Sequence, residues 1–297
     1  MLDTPPHTPN TTWRLGTIGF AYPDWAASFY PPGVSGADRL SHYAHHFNAV
    51  EVDATFHAIP APKIVRRWGE AVPDGFTFYL KTPREITHGA DAGHLVRSSS
   101  HQHMHHFLTV GAELGDKLSV VLLQFPASFT ADRHDELAEF LSERPGGHRY
   151  AVELRHDSWW VPPTAELFRH LGVCWVATDE VRKHEANAPP GRYKPRPIVP
   201  TTDHLYIRWI GWHEQFPDLA REYLDPTKRL AWWSARLETV LSKRPELTSV
   251  HGFFGNGYTG HAPATCRRFV SASGIDLGGI DDGGQAPPSL FATPPLP

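Results

Sequence analysis

Carboxylate, amine, guanidinium, imidazole and phenol side chains stand at or near the ends of short apolar runs in this chain of 297 residues. General acid–base chemistry needs such a mixture, because neighbouring unlike charges decide which group holds a proton near neutral pH. We expect the chemical step to use Glu153, Asp53, His88 and Lys81. We expect a substrate to be held by Tyr22, Trp25, Arg155, His156, Trp159, Arg208 and Asn256. Together these residues predict a pocket for a small polar or anionic ligand.

Alternation within the predicted strands puts the charged residues on one face. Glu51 and Asp53 alternate with valines in the second strand, and the same period of two surrounds Lys81, Glu153 and Arg208. Successive side chains of a strand point to opposite faces, so the apolar face meets the helices and the charged face points inward. An isolated buried charge costs several kcal/mol. The inward charges are therefore expected to pair with one another, as purely structural groups or at a solvated mouth.

The elements that would position these residues are strands alternating with amphipathic helical stripes, a pattern typical of repeated βα units. The predicted strands are 15–20, 49–55, 76–81, 119–125, 150–154, 173–178, 204–210 and 249–255. The first strand runs into Gly19-Phe20-Ala21-Tyr22-Pro23, which lacks the glycine-rich phosphate turn of an open doubly wound sheet. The sequence thus favours a single TIM-like (β/α)8 barrel, with its site at the carboxyl ends of the strands.

The barrel is predicted to be one domain over 13–277, since about 250–300 residues is an ordinary length for it. Residues 1–12 are expected to be a disordered arm, and the Gly- and Pro-rich residues 278–297 a disordered tail. Between the sixth and seventh predicted strands, 179–203 contains five prolines and no helical stripe. We therefore expect the sixth helix to be degenerate and replaced by a long loop.

Composition limits the partners and the cellular compartment. A net charge of -4 with 20% charged residues argues against a phosphate-backbone binder, so nucleic acid is not an expected partner. No stretch of about 18 apolar residues and no signal-peptide core occurs, which predicts a cytoplasmic protein without membrane contact. Cys174 and Cys266 lack C-x-x-C spacing, and Cys174 is interpreted as a buried strand residue. Five of the 20 histidines lie within 94–106, a segment interpreted as a solvated helix face.

Ordered motifs connect the predicted strand ends. They include GFAYPDW at 19–25, FNAVEV at 47–52, LQFP at 123–126, VELRH at 152–156 and GHAP at 260–263. In these motifs the chain resembles domain-of-unknown-function family seventy-two, the YecE-like proteins, across nearly its whole length. The resemblance implies an α/β barrel and no particular reaction.

Three functions remain as hypotheses. The first is an enzyme that runs acid–base chemistry at the barrel mouth, and the second is a ligand-binding module without chemistry. The third is a metal-assisted phosphodiesterase on nucleic acid, which rests on fold analogy and would use Asp53, Glu153, Asp179 and a histidine. Because no paired-ligand, P-loop, G-x-S-x-G or H-E-x-x-H motif occurs, we predict neither a metal nor a cofactor. The sequence leaves the oligomeric state open.

Overall fold

The computed structural model describes residues 11–89, 95, 97–180, 195–212 and 216–278. In these residues nine strands and eight α-helices follow one another along the chain. The strands are β1 (Thr12–Thr17), β2 (Ala49–Val52), β3 (Thr77–Lys81), β4 (Leu118–Gln124), β5 (Arg149–Glu153), β6 (Cys174–Trp175), β7 (Ala177–Glu180), β8 (His204–Gly211) and β9 (Ser249–Phe254). The helices are α1 (Arg39–Ala44), α2 (Pro62–Glu70), α3 (Arg84–Thr87), α4 (Arg97–Gly111), α5 (His134–Ser142), α6 (Pro162–Leu171), α7 (Thr227–Lys243) and α8 (Ala262–Ser273). The α/β class predicted from the sequence is confirmed.

The strands pair in parallel and form two sheets, with the orders β1-β9-β8-β7 and β2-β3-β4-β5-β6. Short backbone contacts link the two sheets at both edges. Ile18, just after β1, forms an isolated parallel bridge with Glu51 of β2, and the Gly19 N–H donates to Glu51 O over 2.7 Å. At the other edge, β6 and β7 are separated only by Val176, whose N–H donates to Val152 O over 3.0 Å. One extended stretch of chain therefore belongs to both sheets.

The inner faces of the two sheets meet through aromatic rings. Tyr79 of β3 lies 5.6 Å from Tyr206, 5.1 Å from His251 and 4.6 Å from Phe253, measured between ring centroids. Their strands belong to different sheets. A larger apolar cluster on the other strand faces packs against the helices. The side of the strands that faces the helices is thus apolar, as in parallel sheets covered by helices, and the inward side includes aromatic rings.

Local signals explain where several helices begin and end. The helix α6 starts with Pro162, whose missing N–H is harmless in a first turn, and ends at Gly172 with φ +62°. The helix α8 has a proline in its first turn as well and ends at Gly274 with φ +61°. In α7, Leu230, Trp233 and the following stripe residues are buried as the period of 3.6 predicts.

Some predicted boundaries are corrected. The first strand begins earlier and ends at Thr17, because Gly19 takes φ +76° and turns the chain away. The second ends at Val52 because a 3-10 turn over Ala54–Phe56 follows it. At the other end of the first strand, β1 begins at Thr12, the last residue of the arm that was predicted to be disordered.

The predicted loop at 179–203 falls mostly outside the described residues, since 181–194 are not among them. Residues 195–203 contain no helix. The predicted arm and tail likewise lie almost entirely outside the described residues. Both cysteines are buried and free. On α4, His105 and His106 are exposed whereas His101 and His103 are half-buried. None of the helices in the described part of the chain is long and apolar enough to cross a membrane.

Candidate functional site

A buried ion network lies at the carboxyl ends of the strands, with Arg208 of β8 at its centre. The Nε and Nη2 atoms of Arg208 donate to the two carboxylate oxygens of Glu51 over 2.9 and 2.8 Å. Its Nη1 atom donates to Oε2 of Glu153, and the Tyr206 hydroxyl donates to Glu51 over 2.8 Å. Glu51 is 0% exposed, Glu153 1% and Arg208 4%. One guanidinium therefore joins the second, fifth and eighth strands through charge-assisted hydrogen bonds.

The two carboxylates of this network differ in proton affinity. Burial raises the pKa of Glu51, and this exceeds the opposing effect of Arg208 and of the Tyr206 hydrogen bond. Burial also acts on Glu153, but Arg208 and Arg155 together lower the pKa of that carboxyl to about 2. Burial disfavours the charge of Arg208, yet Glu153 and Glu51 raise its pKa above the usual range. Glu153 is therefore a fixed anion, and Glu51 is the carboxyl that takes a proton more easily.

Lys81, the last residue of β3, brings an amine to the same region. Its side chain is 9% exposed, and Nζ lies 3.8 Å from the centroid of the Phe56 ring. No carboxylate of the described residues lies within 4.0 Å of this nitrogen. Burial lowers the pKa of Lys81 to about 8, and the charge of Arg208 adds to the effect, while Glu153 and Glu51 oppose it. The amine consequently gains and loses its proton close to neutral pH.

A second wall is built around the turn that follows β1. A Cβ atom at Gly19 would lie 3.1 Å from the Tyr22 hydroxyl and 3.2 Å from Oδ1 of Asp53, so the glycine lets these two oxygens approach the backbone. The Tyr22 hydroxyl donates to Ile18 O over 3.0 Å. Burial raises the pKa of Tyr22, and the charges of Asp53 and Glu51 raise it further. Tyr22 therefore stays protonated beside Asp53, as a hydrogen-bond donor.

Asn256, after β9, holds this wall together. Its Oδ1 accepts from the Trp25 indole N–H over 3.2 Å and from the Ala262 N–H over 3.0 Å. Its Nδ2 is buried and makes no hydrogen bond of standard geometry in the described part of the chain, although it lies near the Tyr22 hydroxyl and opposes the rise in the pKa of Tyr22. Since buried donors are nearly always satisfied, this amide is a candidate for donating to a ligand.

An open groove of about 550 Å³ lies beyond the ends of β3 and β4. Its lining includes Arg84, His88, Thr130 and Arg133. The His88 ring lies 4.8 Å from the Phe56 ring, on which the Lys81 amine also rests. The His88 Nδ1 atom lies 2.9 Å from the Thr87 hydroxyl. The groove and the Lys81 region are therefore neighbours through Phe56.

Comparison with known proteins decides the family. The family model described as "Protein of unknown function DUF72" matches residues 14–289. The chain belongs to this family. It is similar to the UPF0759 protein YecE of Escherichia coli K12, with 33% identity over 211 residues, which cover 66% of this chain and 73% of YecE. It is also similar to the UPF0759 protein YunF of Bacillus subtilis 168, with 30% identity over 182 residues, which cover 59% of this chain and 63% of YunF.

Solved DUF72 structures have the same fold. A DUF72 protein of Thermotoga maritima MSB8 superposes with a TM-score of 0.70 at 27% identity, covering 88% of this chain and 98% of that one. Another from Enterococcus faecalis V583 gives a TM-score of 0.68 at 22% identity, covering 91% and 98%. The resemblance that the motifs indicated is thereby confirmed.

Two residues of this DUF72 protein that the sequence predicts to bind a substrate are buried. Trp25 and Trp159 are both 0% exposed. The indole N–H of Trp159 donates to Phe129 O over 2.7 Å, and the two rings stack at 5.2 Å. Trp25 supports Asn256 from behind and packs against Tyr22 at 4.8 Å. Neither indole therefore offers surface to a ligand, because the apolar cores around both rings are complete.

Arg155 and His156 lie next to the network. Arg155 Nε donates to Glu153 over 2.9 Å, and Nη2 lies 3.5 Å from the carboxylate of Glu180. The Nδ1 atom of His156 accepts from the Ser158 N–H over 3.1 Å and caps the turn that follows. Arg155 thus fixes Glu153, and the Nε2 side of His156 is the one that can face a ligand.

Asp179 is a metal ligand in the phosphodiesterase hypothesis, but both oxygens of its carboxylate already have protein partners. Its oxygens accept from the Trp233 indole over 2.7 Å and from the Tyr258 hydroxyl over 3.0 Å, and they pair with Arg229. No group of three or more His, Cys, Asp or Glu side chains in the described residues could hold a metal ion.

Sequence reasoning missed two aromatic residues of the site. Tyr206 lies among apolar strand residues, so its hydrogen bond to Glu51 could not be predicted from local spacing. Phe56 lies beyond the end of β2, where a period of two no longer applies. The motif at 47–52 continues to Thr55 and Phe56, and this continuation is the signal that could have found it. Glu51 was expected to pair with another inward charge, and the structure pairs it with Arg208.

Proposed function

We propose that this DUF72 protein is an enzyme that applies acid–base chemistry to a small polar or anionic substrate at the carboxyl ends of its strands. The observation that carries the proposal is the Lys81 amine, which is buried beside the Arg208–Glu153 network and has a pKa of about 8. A general acid or base works best when its pKa lies near the operating pH. An ordinary lysine, with a pKa near 10.4, holds its proton too tightly for that role.

The network supports this role because its members hold their protons with different strength. Glu153 stays ionised, Arg208 stays charged, and Glu51 has a raised pKa. Environments that push the pKa values of neighbouring groups apart are the pattern of acid and base pairs. In the proposal Glu153 and Arg208 keep their charges throughout the reaction. Lys81, with Asp53 or His88, exchanges protons with the substrate.

The Lys81 amine and the Arg84 guanidinium favour an anionic substrate. The Lys81 amine has no carboxylate of the described residues within 4.0 Å. The neighbouring groove carries the guanidinium group of Arg84, while its other guanidinium, that of Arg133, pairs with Glu136, and the Asp132 carboxylate also lines it. A carboxylate or phosphate group would find hydrogen-bond donors there, and the Asn256 amide supplies a neutral donor, whereas the Tyr22 hydroxyl already donates to Ile18 O. His156 and Arg155 complete the proposed binding set.

We also propose that the two sheets form one closed (β/α)8 barrel and that residues 13–277 make a single domain. The bridge from Ile18 to Glu51 and the shared stretch through Val176 support closure at both edges. The free thiols of Cys174 and Cys266 are compatible with the cytoplasm, where thiols stay reduced. We place the protein in that compartment on these grounds.

The test is a turnover screen with sugar, phosphoester and carboxylate substrates, using the wild type and Glu153→Gln. The matched control is Glu246→Gln, because Glu246 is an exposed carboxylate that pairs only with Arg244 in the described residues. We expect a substrate whose turnover falls at least about 100-fold in Glu153→Gln and is unchanged in the control. Equal rates in all three proteins would remove Glu153 from the mechanism. A ligand that raises the melting temperature without turnover would favour a binding module instead.

A further inference from the structure

We propose that Lys81 acts as a nucleophile, whose amine forms a Schiff base with an aldehyde or ketone that also carries an anionic group. This inference rests on the proposed function, since it uses the same site and names its substrate class. It adds a covalent step, which acid–base chemistry alone does not require.

The surroundings of the amine carry the inference. A lysine that serves only to balance charge is normally paired when buried. Lys81 is buried at the end of β3 without a carboxylate of the described residues within 4.0 Å, and its nitrogen rests on the Phe56 ring at 3.8 Å. The Thr55 hydroxyl lies 2.6 Å from the carbonyl oxygen of Lys81 and helps to fix its backbone. The amine is thus held over the face of an aromatic ring, which attracts its charged form, while burial acts against that form.

The neighbouring charge is a cation. Arg208 lies close enough to lower the pKa of Lys81, in addition to the larger effect of burial. Desolvation and an adjacent cation are the two ways in which proteins activate a lysine nucleophile. With a pKa of about 8, about a quarter of the Lys81 side chains carry a free amine at pH 7.5. For an ordinary lysine the fraction is about 0.1%, so the free amine is enriched about 200-fold.

The covalent step balances without an oxidant or reductant. The Nζ lone pair attacks the carbonyl carbon, the C–N bond forms as the C=O π bond breaks, and a proton passes from the nitrogen to the former carbonyl oxygen to give a neutral carbinolamine. That hydroxyl then takes a second proton and leaves as water, while the nitrogen lone pair forms the protonated imine. The anionic group of the substrate would lie towards Arg84 of the groove. His88 shares the Phe56 ring with Lys81 and is the candidate proton donor for water loss.

Reductive trapping tests the inference. The full-length protein is incubated at pH 7.5 with glyoxylate and cyanoborohydride, which reduces the imine to a stable secondary amine, and labelled lysines are located by peptide mass spectrometry. Lys63 and Lys228 are exposed and serve as internal controls in the same sample. We expect Lys81 to be labelled at least about 10-fold faster than either control, and its labelling rate to rise with a midpoint near pH 8. Labelling of Lys81 no faster than the controls would overturn the inference.

A pair of variants separates this inference from the proposed function. Lys81→Arg keeps a positive charge and removes the nucleophile, whereas Lys63→Arg makes the same change at an exposed position of α2. On a substrate found by the screen, we expect Lys81→Arg to lower kcat at least about 1000-fold with KM changed only a few-fold, and Lys63→Arg to change neither. If Lys81→Arg lowers turnover but Lys81 is not labelled in the trapping experiment, the Schiff base fails and the acid–base role of Lys81 stands. If Glu153→Gln abolishes turnover while Lys81→Arg retains it, the Schiff base and the proton exchange at Lys81 both fail. If neither variant lowers turnover, both fail.

Discussion

Replacing Arg208 with methionine should destabilise the protein strongly, because it leaves a buried charge without its partner. Glu51 is 0% exposed and receives two of its three side-chain hydrogen bonds from Arg208. Glu153 loses one bond to Arg208 but keeps the bond from Arg155. The loss therefore falls mainly on Glu51.

The magnitude follows from this imbalance. Breaking a buried ion pair by removing one partner costs about 3–5 kcal/mol, and we expect about 4 kcal/mol at pH 8. Burial already raises the pKa of Glu51 in the wild type, and loss of Arg208 raises it further. The folded variant then binds a proton that the unfolded chain does not, so its stability falls as pH rises. The deficit relative to the wild type should shrink on acidification by up to about 1.4 kcal/mol per pH unit.

The assay is urea unfolding followed by fluorescence of the ten tryptophans, at pH 8 and pH 6. Adding Glu51→Gln to Arg208→Met removes the unpaired charge and should restore about half of the lost stability. Arg149→Met is the control, because its pair with Asp203 spans 3.7 Å between side chains about half exposed, and such pairs contribute about 0–1 kcal/mol. A loss below about 1 kcal/mol in Arg208→Met, or a deficit that grows on acidification, would refute the reasoning.

Three further predictions concern positions outside the network. Asp179→Asn should cost about 2–4 kcal/mol in urea unfolding, since it removes a buried charge that three donors share; a loss under about 0.5 kcal/mol would contradict this. Gly211→Ala should lower the melting temperature far more than Gly75→Ala. Both glycines have positive φ, but only at Gly211 would the added Cβ lie 2.2 Å from a backbone oxygen, so equal shifts would exclude that clash as the cause. Cys174 and Cys266 should react with a thiol reagent only as fast as the protein unfolds, since burial raises the pKa of both; rapid reaction of native protein would contradict their burial.

The strands could be predicted from the sequence because their alternation is regular. Residues such as Lys81 and Glu153 stand at the carboxyl ends of their strands both in the prediction and in the structure. Boundaries shifted where a local turn overrides the pattern, as at Gly19 with φ +76°. Alternation with a period of two shows which face of a strand a side chain lies on, but it does not show at which residue the strand ends.

The pairing within the site could not be predicted from the sequence. Arg208 joins Glu51 and Glu153, which are separated from it by 157 and 55 positions. Such contacts depend on the register of parallel strands and on how the two sheets meet, and neither is encoded in local spacing. The burial of Trp159 could not be predicted for a related reason, because a tryptophan after a strand has the same local pattern whether it covers a pocket or fills the core.

The pKa of the Lys81 amine is the most direct test of the central claim, that a proton-exchanging amine lies in a ligand site at the strand ends. It can be measured by NMR on protein made with isotope-labelled lysine, with the Lys81 signal assigned from its loss in Lys81→Arg. We expect a titration midpoint of about 8 for Lys81, set apart from those of the other lysines. A midpoint at the ordinary value near 10.4 would contradict it.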